Sequence, residues 1–144
     1  METRKIQVLV VDDEEDFLKS ISKSLSVRNF NVTAVNRGEK AIEAVKAKPF
    51  DIALVDLRMP GINGEETLAA LKAEQEGLEV VILTGHGTIN SAVECTRLGA
   101  FSFLQKPCEL NTLLDTLHRA YEKKLQNVEK INEARIKDIL QRKV

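Results

Sequence analysis

The chain is poor in the residues that build disulfide frameworks and metal-thiolate sites. It has 2 cysteines in 144 residues. Cys95 and Cys108 share no metal-ligand spacing, so free thiols, buried or partly buried, in a reducing cytoplasm are the expectation. Long apolar runs are missing as well, and no stretch approaches the length of a membrane-crossing helix. Residues 1–5 lead straight into the first apolar run, which leaves no room for a secretory apolar region. An excess of one charge sign is also lacking. The 21 Lys and Arg against 22 Asp and Glu give a net charge of −1, with no global bias toward nucleic acid. The exception is local: residues 123–144 hold seven Lys/Arg against three Asp/Glu, a net of +4.

What is present is an ordinary globular composition, 43% hydrophobic, of a length that suits one domain with a small surplus. Strand and helix patterns alternate along it. Apolar runs at about 6–11, 31–35, 52–55, 80–84 and 102–104 predict five strands. Between and after them, helical periodicity predicts helices near 14–27, from Gly38, from Gly64, over Ile89–Thr96 and from Glu109. Gly77 and Pro49 punctuate turns, and Gly99 is expected just past a helix end. Five strand–helix units with short connections predict a parallel α/β sheet with helices on both faces. The first, third and fourth strands are continuously apolar, as central strands covered on both sides are. The second alternates and is the better edge candidate.

The polar residues that close these runs carry the chemistry. Asp12 and Asp13 follow the first strand, Asp56 the third, Thr84 closes the fourth, and Lys106-Pro107 follows the short fifth. In open α/β sheets ligands bind beyond the strand C-termini, where these residues would meet. Three carboxylates brought together repel one another unless a cation lies among them. Oxygen-only donors suit Mg2+. A hydroxyl and an ammonium beside it describe a pocket for a phosphoryl group. Plainer readings stand alongside. Asp12 or Asp13 could cap the first helix, Asp56 could be a loop aspartate, Thr84 a β-favouring residue and Lys106 a solvated lysine.

Taken together, these segments resemble the receiver domain of two-component response regulators over roughly residues 5–120. The resemblance is carried by Val10-Val11-Asp12-Asp13-Glu14, by Val55-Asp56-Leu57-Arg58-Met59-Pro60-Gly61-Ile62-Asn63-Gly64, by Leu83-Thr84-Gly85-His86-Gly87 and by Phe103-Leu104-Gln105-Lys106-Pro107. The wording around Thr84 and Gly99-Ala100-Phe101 is most similar to receivers of nitrogen-regulatory and dicarboxylate-transport activators. The resemblance implies a flavodoxin-like (βα)5 fold of strand order 2-1-3-4-5. It implies Asp56 as phosphoacceptor, taking its phosphoryl group from a histidine kinase or phosphotransfer protein. Mg2+ would be bound by Asp13 and Asp56 directly, by Asp12 largely through water, and by the backbone carbonyl of Arg58. Thr84 and Lys106 would bind phosphoryl oxygens, with a cis bond between Lys106 and Pro107. Phe103 would be the switch aromatic, lacking the hydroxyl of a tyrosine; an ordinary core phenylalanine is the alternative. Arg58 and His86 would flank the route of the hydrolytic water. Phosphorylation would alter the face of the fourth helix, fifth strand and fifth helix, exposing surface around Ala92, Val93 and Leu113.

Residues 121–144 are expected to form a helical extension or linker beyond a receiver of residues 1–120. Leu125, Val128, Ile131, Ile136, Ile139 and Leu140 make a loose stripe, interrupted by Asn132 and Arg135. A linker toward an output domain, a pairing surface for a second copy and a solvated extension all remain open. Three functions follow. The favoured one is a cytoplasmic signalling switch that catalyses its own phosphotransfer and slow dephosphorylation rather than turning over a separate substrate. The alternative is the receiver portion of a DNA-binding regulator; direct nucleic-acid binding by this chain is not expected without a helix-turn-helix companion. A small-molecule phosphatase fits less well: such enzymes want a catalytic carboxylate two residues past the first nucleophile, and here Asp13 is followed by Glu14-Glu15 in a helix-capping context.

Overall fold

The computed structural model describes residues 4–142, so residues 1–3 and 143–144 of the two expected segments lie outside the described residues. The elements run β1 (Ile6–Val11), α1 (Glu15–Ser26), β2 (Phe30–Val35), α2 (Gly38–Ala47), β3 (Ile52–Val55), α3 (Gly64–Glu74), β4 (Glu79–Thr84), α4 (Ile89–Arg97), β5 (Ser102–Gln105) and α5 (Leu110–Gln141). All strands are parallel, in the order β2-β1-β3-β4-β5. This is the flavodoxin-like arrangement.

Strand periodicity sorts the core into two layers, since successive side chains leave opposite faces of a sheet. Leu9, Val11, Ala53, Val55, Val80 and Ile82 pack under α2, α3 and α4. Val8, Val10, Ile52, Leu54, Val81 and Leu83 pack under α1 and α5. The continuous apolar runs of β1, β3 and β4 follow from this double coverage. Both thiols are free, and burial pushes the Cys95 thiol up to about 11, with Glu65 and Glu94 adding to the effect.

Local signals set the helix ends. At α4 the Gly99 N–H bonds the Thr96 carbonyl and the Ala100 N–H bonds the Cys95 carbonyl, with Gly99 at φ +98°. That is the glycine-terminated helix end its position predicts. Asn63 and Thr88 each close a capping box at the starts of α3 and α4. The capping reading of Asp12 and Asp13 is corrected. Glu14 holds the N-cap position of α1 without a side-chain bond, and Asp12 instead accepts the Glu14 N–H at 2.9 Å through Oδ1.

α5 is 32 residues long and does not break at 120–121. Leu113, Thr116, Leu117 and Ala120 anchor its first half in the core. Leu113 is 2% exposed, so in this state it belongs to the core rather than to the exposed part of the α4–β5–α5 face. Beyond the sheet the helix grips the strand N-termini. Lys124 Nζ lies 2.6 Å from Asp51 Oδ1, with the side chains 16% and 3% exposed. Asp51 Oδ2 accepts the Gln7 N–H at 2.8 Å. Asn127 donates to Glu79 Oε1 at 2.7 Å, and Lys72 stands 3.8 Å from the same oxygen. The expected stripe therefore divides. Val128 and Ile131 are half-buried, while Leu125, Ile136, Ile139 and Leu140 are exposed.

Asp51 is almost fully buried, and Lys124 is its only ion-pair partner among the described residues. Removing one member of such a pair strands the other charge. Lys124→Met should lower unfolding stability by about 3 kcal/mol, and adding Asp51→Asn should restore most of it. Urea titration of the two single variants and the double variant measures this. Strictly additive losses would mean that the pair does not couple.

Candidate functional site

The parallel register sets the strand ends side by side. Val11 pairs with Val55, so Asp12 and Asp56 leave adjacent strands at the same level, and the Asp56 N–H bonds the Val11 carbonyl at 3.0 Å. Asp12 and Asp56 are buried and Asp13 is exposed. One carboxylate oxygen from each of the three lies within 4.8 Å of the others. From the far side of β4 the Lys106 N–H bonds the Thr84 carbonyl at 2.9 Å, which brings the lysine's backbone to the same edge. Its ammonium lies 2.7 Å from Asp12 Oδ2, 3.5 Å from Glu14 Oε1 and 4.0 Å from Asp56 Oδ2. The Lys106–Pro107 peptide bond is cis. Asp56 Oδ1 accepts the Leu57 N–H at 2.8 Å, leaving Oδ2 turned to the lysine.

The electrostatics have one direction. Burial pushes the Asp12 carboxyl above the usual carboxylate range, and the nearby Asp56 charge adds to it. The bonds from Lys106 and the Glu14 N–H only partly offset this. For Lys106, burial pulls the ammonium down, but the Asp12 hydrogen bond and the Asp12, Asp56 and Glu14 charges outweigh it, and the net shift is upward. Carboxyl and ammonium are thus both shifted upward, Asp12 chiefly by burial and Lys106 by the acids around it. The pocket's donors are all oxygens. Such a set fits a hard divalent cation and not a thiolate- or imidazole-bound one.

Of the remaining expected residues, Thr84 ends β4 and Phe103 lies on β5, while Arg58 and His86 lie on the loops beyond β3 and β4. Thr84 is fully buried, and its hydroxyl oxygen accepts the His86 N–H at 3.1 Å. Arg58 and His86 are exposed, each two residues beyond Asp56 and Thr84. Phe103 is half-buried at the rim of the α2–α4 layer. Its ring lies against the loop between β4 and α4, because a Cβ placed on Gly87 would come within 2.8 Å of Phe103 Cε1. Two neighbours escaped the sequence reading as site residues. Glu14 stands beside the Asp12-Asp13 pair at the opening of α1, and Phe17 falls at an apolar position of the α1 periodicity, so neither carries a local sign of a site. The Phe17 ring centroid is 4.0 Å from Lys106 Nζ.

A family model described as the response regulator receiver domain matches residues 8–118. The chain belongs to that family. It is 35% identical over 118 residues to the transcriptional regulatory protein FixJ of Bradyrhizobium diazoefficiens, covering 82% of this chain and 58% of FixJ. It is 33% identical over 117 residues to the C4-dicarboxylate transport transcriptional regulatory protein DctD of Pseudomonas aeruginosa, covering 81% of this chain and 25% of DctD. The chain thus spans little more than half of the one relative and a quarter of the other. The likeness to DctD agrees with the dicarboxylate-transport wording of the sequence. Among solved structures, a receiver domain protein from Clostridium thermocellum aligns with TM-score 0.79 at 27% identity, over 84% of this chain and 98% of that one. A response regulator protein from Burkholderia pseudomallei, described with a phosphorylated aspartic acid, calcium ion and citrate, aligns with TM-score 0.76 at 26% identity, over 97% of this chain and 76% of that one.

The receiver site depends on a close approach behind Asp56. Gly64 opens α3 with its N–H on the Leu57 carbonyl at 2.9 Å, and an added Cβ would lie 2.4 Å from the Asp56 carbonyl oxygen. Backbone cannot yield as a side-chain tip can, so Gly64→Ala should cost about 3 kcal/mol in urea unfolding. At Gly85 the nearest atom to such a Cβ is Lys106 Cβ at 4.0 Å, and Gly85→Ala should stay within about 0.5 kcal/mol of the parent. Equal costs at the two glycines would contradict this packing.

Proposed function

We propose that this chain is a phosphorylation-controlled signalling switch whose Asp56 accepts a phosphoryl group from a phosphohistidine on a sensor histidine kinase or phosphotransfer protein. The observation that carries the reading is the three-carboxylate cluster facing Lys106 at the strand ends of a receiver-family fold. In the transfer, an Asp56 carboxylate oxygen forms a bond to phosphorus as the phosphorus–nitrogen bond of the donor breaks. The departing imidazole keeps that electron pair and takes up a proton. Lys106 supplies a positive charge for the phosphoryl oxygens, and the Thr84 hydroxyl supplies a hydrogen bond. In a loose transition state that charge is spread over those oxygens, so positioned cations and donors do most of the catalytic work. Mg2+, held by Asp13 and Asp56, by Asp12 through water and by the Arg58 carbonyl, would neutralise the carboxylates and phosphoryl oxygens.

Switching follows from competition for Thr84. Its hydroxyl oxygen now accepts the His86 N–H, and a phosphoryl group on Asp56 would draw it away. The loop between β4 and α4 then shifts, and with it the Phe103 ring that lies against Gly87. The α4–β5–α5 face changes, including the exposed Ile89 and Val93. Coupling between such sites is typically about 1–3 kcal/mol. Slow hydrolysis, with Arg58 and His86 flanking the water route, resets the switch.

A second, wider reading rests on the relatives. FixJ and DctD are named transcriptional regulatory proteins, and this chain matches only part of each. In this reading residues 1–120 are the receiver of a cytoplasmic, DNA-binding regulator and residues 121–144 its linker. Pairing of two copies through the α4–β5–α5 face or the α5 extension would carry the signal.

With Mg2+ and acetyl phosphate, intact-mass measurement should show one added phosphoryl group, absent from Asp56→Asn. An adduct that persists in that variant would place the nucleophile elsewhere. Mg2+ should also raise the melting temperature of the parent more than that of Asp13→Ala, because binding to the folded state alone stabilises it. Without the cation, Asp13→Ala should melt no lower than the parent, since it removes one of three mutually repelling charges. Equal Mg2+ shifts in the two proteins would count against a metal site built on Asp13.

A further inference from the structure

Lys106 is held on more sides than its acidic neighbours supply. An ammonium has three N–H donors. Asp12 takes one at 2.7 Å, while Glu14 at 3.5 Å and Asp56 at 4.0 Å are looser. The Phe17 ring, in the first turn of α1, lies with its centroid 4.0 Å from Nζ. Phe17 and Lys106 both line a groove of about 580 Å3 between α1 and the start of α5, with Ile21, Leu83, Pro107 and Leu113. The ring is packed against the α1–α5 core layer, so its position is fixed from behind.

From this geometry we infer that Phe17 is a positioning residue for phosphotransfer, holding the Lys106 ammonium beside Asp56 through its π face. The inference rests on the reading of Asp56 as phosphoacceptor and assigns a residue that reading does not use. An aromatic face attracts a cation electrostatically. It imposes no single hydrogen-bond direction, so the ammonium can turn from Asp12 and Glu14 toward a phosphoryl group on Asp56 without losing the ring. The ring also keeps water from one flank of the ammonium, which strengthens the charge it presents at Asp56. A carboxylate in the same place would hold the lysine more tightly but would repel the incoming phosphoryl group.

Two measurements test this. The first needs neither a cation nor a phosphodonor. Nuclei above an aromatic face are shifted upfield by its ring current, so the Lys106 Cε protons of the metal-free parent should resonate upfield of ordinary lysines, and Phe17→Leu should abolish the displacement. An ordinary Lys106 shift in the parent would overturn the inference, whether or not Asp56 accepts a phosphoryl group. The second is the rate of acyl-phosphate formation from acetyl phosphate with saturating Mg2+. Phe17→Leu should slow it about fivefold, and Phe17→Tyr should retain it. Because Phe17→Leu also alters packing, the deciding series replaces Phe17 with progressively fluorinated phenylalanines, which drain the π face at nearly constant shape. The rate should fall stepwise with fluorination while the melting temperature holds. A flat rate across the series, or a fall that follows melting temperature alone, would overturn the inference. A parent protein that takes up no phosphoryl group would instead defeat the reading of Asp56, and the ring-current measurement would still decide the placement of Lys106.

Discussion

The crowding of Asp12, Asp13 and Asp56 at one sheet edge is the constraint on which the rest of the site depends. Two of the three are buried, and their oxygens approach within 4.8 Å. Like charges this close oppose folding unless a positive group answers them. Lys106 does so in part, reaching across β4 from the end of β5 to Asp12. One ammonium faces three carboxylates there, and Glu14, 3.5 Å from it, makes a fourth acid. Under the proposed function, that crowding would be relieved by a divalent cation, so the cost built into the folded chain would become affinity for it.

A second buried acid, Asp51, occupies the opposite edge, and a second lysine from the C-terminal part of the chain answers it. Lys106 stands just before α5, and Lys124 lies on it. One continuous segment therefore carries a lysine to each end of the sheet, Lys124 to Asp51 at 2.6 Å and Lys106 to Asp12 at 2.7 Å, with Asp56 at 4.0 Å from Lys106. Asn127 and Val128 extend the same grip to Glu79 and Gly77. The consequence for signalling is mechanical. The α5 extension is tied to the strand N-termini and the turn after α3 through Lys124, Asn127 and Val128, with a surface ion pair from Arg135 to Glu76 at 3.5 Å, while Ile136, Ile139 and Leu140 are exposed. A change in α5 would reach those exposed turns along a helix supported for most of its length.

The sequence by itself determined the alternation of strands and helices, the two-sided burial of β1, β3 and β4, the glycine-terminated α4 and the gathering of Asp12, Asp13, Asp56, Thr84 and Lys106 at one edge. Each of these follows from local periodicity or from the rule that parallel strands end together, so each can be read without knowing what touches what. Strand order came from resemblance, because periodicity does not say which strands are neighbours. Only the tertiary structure decided which oxygen of Asp12 meets Glu14 and which meets Lys106, that Leu113 is core and not surface, that Lys124 is an ion-pair partner and not a solvated tail lysine, and that Phe17 faces an ammonium. Lys124 follows Leu117 and Ala120 on the buried stripe of α5, and its place there was the available sign. A charge on an apolar stripe can equally extend past the end of the sheet into water. Which of these happens depends on the length of the strands beneath the helix and on a buried acid 73 positions earlier in the chain. Contacts of that kind are set by the packing of whole elements, and no local pattern encodes them.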